Sequence, residues 1–320
     1  MRRTLLAAWL GVMAVIAHAA EPPLDRATLL VVAGAPGEAE FASVFENEVK
    51  EWKGFGALAG AKLLTIGTGA AETVSDYERL KQLLDVEPKE GPGEFWLVLM
   101  GHGTFDGNEA KFNLRGPDVS ATELAEWLKP FHRPLAIIDT SSSSAPFLVK
   151  LAGPNRVVVT STRSGFEQNY SRFGNYFAEA MADPQSDLDK DGQVSLLEAF
   201  LSAARRTNEF YKTEGRLATE HALLDDNGDG LGTPADWFKG VRATKQAKEG
   251  ASLDGTRANQ FHLVRSAAEQ QLTPDARTQR DELERAVAKL RETKPRMTEE
   301  AYFQELEKLL VKLAALYEGT

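Results

Sequence analysis

Five apolar runs punctuate the first half of the chain, at residues 28–33, 62–66, 94–100, 134–139 and 156–160, and each ends in a cluster of Gly, Ser or Thr. Runs of this length without polar alternation are expected of strands buried on both faces, as in parallel sheets. Between them lie stretches of helical period, at residues 40–52, 75–84 and 120–128. The last opens on a capping box, Ser120 followed three residues later by Glu123, which satisfies two orphan amides of a helix start. Strands alternating with helices predict an α/β fold: a mostly parallel sheet flanked by helices on both faces. Beyond about residue 240 the strand-type runs stop. Thr273-Pro274-Asp275 reads as a helix start, with an apolar stripe at Leu283, Val287 and Leu290. Lys294-Pro295 breaks it, and a second stripe follows at Phe303, Leu306, Leu310, Leu313 and Tyr317. Two such segments joined by a short break predict a C-terminal helical hairpin. The expected organisation is a body over residues 21–240 and a helical tail over 241–320.

Residues 1–20 are read apart from the fold. A basic Met1-Arg2-Arg3 precedes an apolar run over 5–16 and then Ala17-His18-Ala19-Ala20, the pattern of a secretory signal peptide. The run falls short of the roughly 20 residues that span a bilayer. The expectation is an exported protein, periplasmic or extracellular, with no membrane segment after cleavage. The chain has 320 residues, 42% of them hydrophobic and 26% charged, which suits a globular body. Its net charge of −10 repels phosphate backbones and makes nucleic acid an unsuitable partner, while favouring divalent cations. There is no cysteine, so neither a disulfide nor a thiol nucleophile is available.

Two acidic loops carry the clearest chemistry. Residues 187–198 place Asp187, Asp189 and Asp191 at positions 1, 3 and 5 of a twelve-residue EF-hand-type loop, Gly192 at 6 and Glu198 at 12. Gln193 supplies a backbone carbonyl at 7, and Ser195 stands at 9. Calcium takes six or more oxygens, and this spacing aims them at one point. Residues 225–236 repeat the pattern with Asp225, Asn227, Asp229, Leu231 (by its carbonyl) and Thr233, and Asp236 takes position 12. Calcium is therefore the expected cofactor, and the separation of the loops suggests that they pair. In an exported protein, which meets roughly millimolar calcium, a permanent structural ion is expected.

The strand ends carry a second constellation. One apolar run ends in Gly101-His102-Gly103, and the next ends in Asp139-Thr140 followed by four serines, 141–144. Sites on open α/β sheets form at the carboxyl ends of strands. These motifs, with Thr160-Ser161-Thr162-Arg163 after the following run, resemble the caspase-like peptidase clan, most closely its legumain-like (C13) branch. The resemblance covers roughly residues 27–235, a domain-sized span. It implies a general base at His102, oxyanion amides at Gly103 and Ser141, and the nucleophile position at Ser141. The departure is that serine stands where the family has cysteine. A hydroxyl is far more basic than a thiol and needs a well-placed base held by a third group, and the serine run reads as a relaxed turn. The expectation is a calcium-binding, caspase-like pseudopeptidase that acts as a binding or scaffold protein, with a peptide or protein ligand in the strand-end cleft. The alternatives are a serine hydrolase using a Ser141–His102 dyad, and a calcium-responsive switch whose helical hairpin docks a partner.

Overall fold

The computed structural model describes residues 25–70, 73–250 and 252–318. The segment read as a signal peptide lies outside them. Ten strands and six helices make up the body: β1 (Thr28–Ala33), α1 (Ala39–Leu58), β2 (Lys62–Ile66), α2 (Asp76–Val86), β3 (Phe95–Met100), β4 (Gly103–Phe105), β5 (Ala110–Phe112), β6 (Val119–Ser120), α3 (Ala121–Leu128), β7 (Leu135–Asp139), α4 (Ala145–Leu151), β8 (Arg156–Thr160), α5 (Phe173–Ala182), α6 (Leu196–Thr213), β9 (Leu223–Asp225) and β10 (Thr233–Pro234). After a two-stranded ribbon, β11 (Phe238–Lys239) and β12 (Arg242–Ala243), come α7 (Ala267–Gln271), α8 (Pro274–Thr293) and α9 (Glu299–Glu318).

The main sheet has the order β10-β9-β8-β7-β3-β1-β2. Its five strands β2, β1, β3, β7 and β8 run parallel, in a register that sets Val31 beside Val98 and Val98 beside Ile138. β9 and β10 add an antiparallel edge. Alternate side chains of a strand face opposite ways, and both sets are buried. Leu29, Val31, Trp96, Val98, Ile138 and Val159 pack under α1, α5 and α6, with Trp52, Phe177 and Phe200. Leu30, Val32, Leu97, Leu99, Ile137 and Val158 pack under α2, α3 and α4, with Leu80, Leu124 and Phe147. This double burial is why the strands read as unbroken apolar runs. The predicted sheet, the helices on both of its faces and the C-terminal helices are all present. Helices α8 and α9 pack on each other across a 3₁₀ turn at Lys294–Arg296. Among the described residues no helix is long and apolar enough to cross a membrane.

The expected boundary at residue 240 is corrected. Ala258, Phe261 and Leu263 belong to the same core as α6 and β3, and the Leu196 amide donates to the Phe261 carbonyl at 2.9 Å. Residues 252–266 are thus an irregular strap laid against the body. Its apolar positions are too few and too scattered to signal a strand or a helix. The small sheet β4-β5-β6 was also not anticipated, because its strands are only two or three residues long.

Candidate functional site

The strand ends bring the residues singled out by the resemblance to one place. β3 delivers His102 and Gly103, and the parallel neighbour β7 delivers Asp139 and Ser141. The backbone of Gly103 lies so close to the serine run that a Cβ there would meet the Ser142 carbonyl at 2.2 Å and Ser141 Oγ at 3.1 Å. Yet the groups face away from catalysis. Ser141 Oγ donates to Asp139 Oδ1 at 2.6 Å, and the Ser141 amide donates to the same oxygen at 3.0 Å. His102 Nε2 stands 3.2 Å from the Pro36 carbonyl, and its ring is enclosed by Phe41, Phe45 and Tyr170. No hydrogen bond joins His102 to Ser141 among the described residues. The Gly103 amide donates to Ser142 Oγ at 3.0 Å, and that hydroxyl donates back to the Gly103 carbonyl at 3.1 Å. Both amides that the resemblance assigns to an oxyanion hole are therefore spent inside the protein, whereas such a hole needs donors aimed at open space.

The serine run is not the relaxed turn expected from its composition. Ser141 to Ser144 are all at most 2% exposed. Ser161 Oγ donates to the Ser141 carbonyl at 2.6 Å, and Ser144 Oγ lies within 3.2 Å of the Ser161 and Thr162 hydroxyls. Thr162 Oγ1 in turn accepts the first amide of α4. Ser143 takes a left-handed conformation at φ 57° while its amide donates to the Glu167 carbonyl. Most of these hydroxyls are hydrogen-bonded, in a polar network that ties β7 to the segment after β8, while Ser143 Oγ is buried without a partner. Burial pushes the Asp139 carboxyl up to about 7 against the two hydrogen bonds from Ser141. Its second oxygen is buried without a partner.

The first acidic loop lies between a 3₁₀ turn (Pro184–Ser186) and α6. One carboxylate oxygen from each of Asp187, Asp189 and Asp191 lies within 4.8 Å of the others. Gly192, at φ 88°, makes the sharp turn between the two halves of the loop. Glu198 closes the loop. Its Oε1 accepts the amides of Leu188 and Asp189 at 2.6 and 3.1 Å, and its Oε2 accepts the Ser195 amide and hydroxyl at 2.8 and 2.9 Å. Burial pushes its carboxyl up, and those hydrogen bonds oppose the shift. The three aspartates offer the convergent hard oxygens that calcium takes, so the residues fit the ion. Ser195 has a different role from the expected one. It is buried as the N-cap of α6 in a capping box with Glu198, and its hydroxyl also donates to Asn259. Gln193 is pinned through its side chain, which accepts the Ser266 amide at 3.0 Å and donates to Asp191 at 3.0 Å.

The second loop repeats the first, position by position. The amides at positions 4 and 6, Lys190 and Gly192 in one and Gly228 and Gly230 in the other, donate to the two oxygens of the first aspartate, Asp187 or Asp225. The amide at position 7, Gln193 or Leu231, donates to the aspartate at 5, Asp191 or Asp229. The surroundings of the second loop differ in two ways. The loop joins strands β9 and β10, which pair with each other, and among the described residues no strand pairing links it to the first loop. Asp236 is exposed in a 3₁₀ turn and makes no hydrogen bond to the loop. The acid in the closing place is Asp254, from the strap. It accepts the amides of Asp226 and Asn227 at 2.9 and 3.1 Å, the same positions 2 and 3 that Glu198 holds, and it also accepts the Thr233 hydroxyl. Burial pushes Asp225, Asp226 and Asp254 up, and the charge of Asp254 adds to this at the other two. The same strap reaches the first loop, where Asn259 donates to Asp189 at 3.2 Å and His262 Nε2 lies 3.9 Å from Asp191.

Fold and site together define an open α/β sheet protein with hydrogen-bonded, buried strand ends and two acidic loops of the same backbone design. No known family model matches the sequence, and no curated protein matches it either. Among solved structures, the chain is similar to the Drosophila initiator caspase Dronc at 15% identity and TM-score 0.43, covering 66% of this chain and 82% of that one. A protein of Geobacter sulfurreducens is similar at 10% identity and TM-score 0.42, covering 65% and 97%. Caspase-1 from Spodoptera frugiperda is similar at 8% identity and TM-score 0.41, covering 63% and 87%.

Proposed function

We propose that the chain is an exported, calcium-binding pseudopeptidase: a caspase/legumain-like scaffold that acts by binding rather than by catalysis. The observation that carries the calcium reading is the convergence of Asp187, Asp189 and Asp191 on one point, with Glu198 at the loop end. In this reading those four residues hold the ion in the first loop, with the Gln193 carbonyl. Asp225, Asn227, Asp229 and Asp254 hold a second, with the Leu231 carbonyl. The ion supplies a fixed positive charge that neutralises clustered carboxylates and adds its binding free energy to folding.

Loss of catalysis is supported by the spent amides of Gly103 and Ser141, by the bond from Ser141 to Asp139, and by the full burial of Ser141. A serine hydrolase needs the opposite arrangement, with an exposed hydroxyl held by an oriented base. The test is calorimetric titration of calcium into the chelator-treated protein, alongside thermal melts. Calcium uptake, a rise in melting temperature, and loss of uptake in the first loop in Glu198→Gln are expected. Absence of uptake at millimolar calcium would reject the reading.

A further inference from the structure

Although the chain is strongly acidic, five of its cations gather along one groove. A groove of about 870 Å³ runs between α8 and the segment after β12, and Lys245, Arg257, Arg285, Lys289 and Arg296 line it. None of the five makes an ion pair among the described residues. Arg257 and Arg285 are half-buried; burial first and the charge of Arg285 second hold Arg257 below its usual range, opposed by the charges of Asp226 and Asp281. Their hydrogen-bond partners are neutral: Asn155 for Arg257 at 3.3 Å and Gln260 for Arg285 at 2.6 Å. Of the two acids in the groove, Asp226 is buried with its oxygens taken by the amides of Gly255 and Ala258, and Glu292 is exposed. Lys289 and Arg296 stand near the C-terminal end of α8, where a helix favours cations. That account does not extend to Arg257 or to Arg285 in mid-helix.

We propose that this groove docks an acidic, extended polypeptide segment of a partner protein. Its dimensions fit. Arg285 and Lys289 stand one helical turn apart on α8, and Arg296, in the 3₁₀ turn that follows, extends the cationic lining beyond the helix end. The gap from Arg285 to Lys289 is about 6 Å, close to the roughly 6.6 Å between alternate side chains of a strand. The rest of the lining is mainly hydroxyl and amide side chains, which suit a peptide backbone, and it includes no aromatic ring on which a nucleobase could stack. Charge complementarity of this kind sets both partner choice and encounter rate.

The inference does not depend on calcium, so the two readings fail separately. The probe is a hexaglutamate peptide carrying a neutral dye, followed by fluorescence anisotropy with the full chain in millimolar calcium. Saturable binding is expected, weakened about tenfold or more in Arg285→Gln/Lys289→Gln and again by a tenfold rise in salt. Lys150→Ala, which removes an exposed cation of α4 outside the groove, should bind like the parent. Three outcomes would overturn the proposal: no binding, equal binding by the groove variant, or tighter binding of inorganic phosphate or a single-stranded oligonucleotide than of the peptide. Both altered side chains lie on α8 outside the core, so circular dichroism should show the variant folded. If it is not, Lys289→Gln/Arg296→Gln, at exposed positions, carries the same test.

Discussion

Replacing Asp139 by Asn should make the protein more stable at mildly alkaline pH, and the size of the gain follows from the site. Asp139 is fully buried, and its carboxyl is pushed up to about 7. In the unfolded chain it titrates at the ordinary aspartate value of about 3.9. A raised folded value means that the stabilising contribution is complete below the unfolded value and is lost as pH climbs through the folded one. Between about pH 5 and pH 7 the folded chain keeps a proton that the unfolded chain has given up, which costs about 1.4 kcal/mol per unit. From about pH 5 to pH 8 the loss is roughly 2–3 kcal/mol, or on the order of 5–10 °C in melting temperature. Asn keeps the acceptor oxygen that Ser141 uses and carries no charge. Its amide nitrogen takes the place of the oxygen that has no partner. The assay is urea unfolding of both proteins across this range, with calcium held saturating so that the acidic loops contribute equally. The stability difference, variant minus parent, should grow by that amount as pH rises. A difference flat to within about 0.5 kcal/mol would mean that Asp139 is ionised throughout, and the account of a neutral acid behind Ser141 would fall.

The same packing predicts that Gly103→Ala, whose Cβ would meet the Ser142 carbonyl at 2.2 Å, lowers stability, by about 2–4 kcal/mol in chemical denaturation. Fluorophosphonate probes should leave Ser141 unlabelled in the folded protein, while Ser141→Ala should lower stability by about 1–2 kcal/mol through the lost bond to Asp139. In calcium titrations Asp254→Asn should abolish uptake at the second loop, and Asp236→Asn should leave it unchanged. The reverse order would restore the contiguous twelve-residue ligand set.

Much of the architecture was legible because the central strands are covered on both faces. Leu29 and Leu30 pack on opposite sides of the sheet, and neither side tolerates a polar residue. The capping box at Ser120 and the aspartates of both loops were legible because their partners lie within a few residues. What could not be read depends on distant chain. Asp254 closes a loop that begins 29 residues earlier, and nothing in its immediate neighbourhood distinguishes it from a surface acid. The serines at 141–144 have the composition of an exposed turn, and only the threonine and serine hydroxyls after β8 make them core. Residues 252–266 carry their apolar anchors at irregular spacing, so no period announces the strap.

The locked serine run has a consequence for reversal. Introducing cysteine at position 141 would not by itself supply a working thiol centre, because the amides beside it are already taken. Sulfur is larger than oxygen and a poorer hydrogen-bond donor, so the short bond from position 141 to Asp139 would be lost. A working centre would also require Ser142 to release the Gly103 amide, Asp139 to release the Ser141 amide, and the His102 ring to swing away from Pro36. Breaking the bonds at Gly103 or Ser141 alone leaves a buried group unsatisfied, so the strand ends hold one another in place and yield only together.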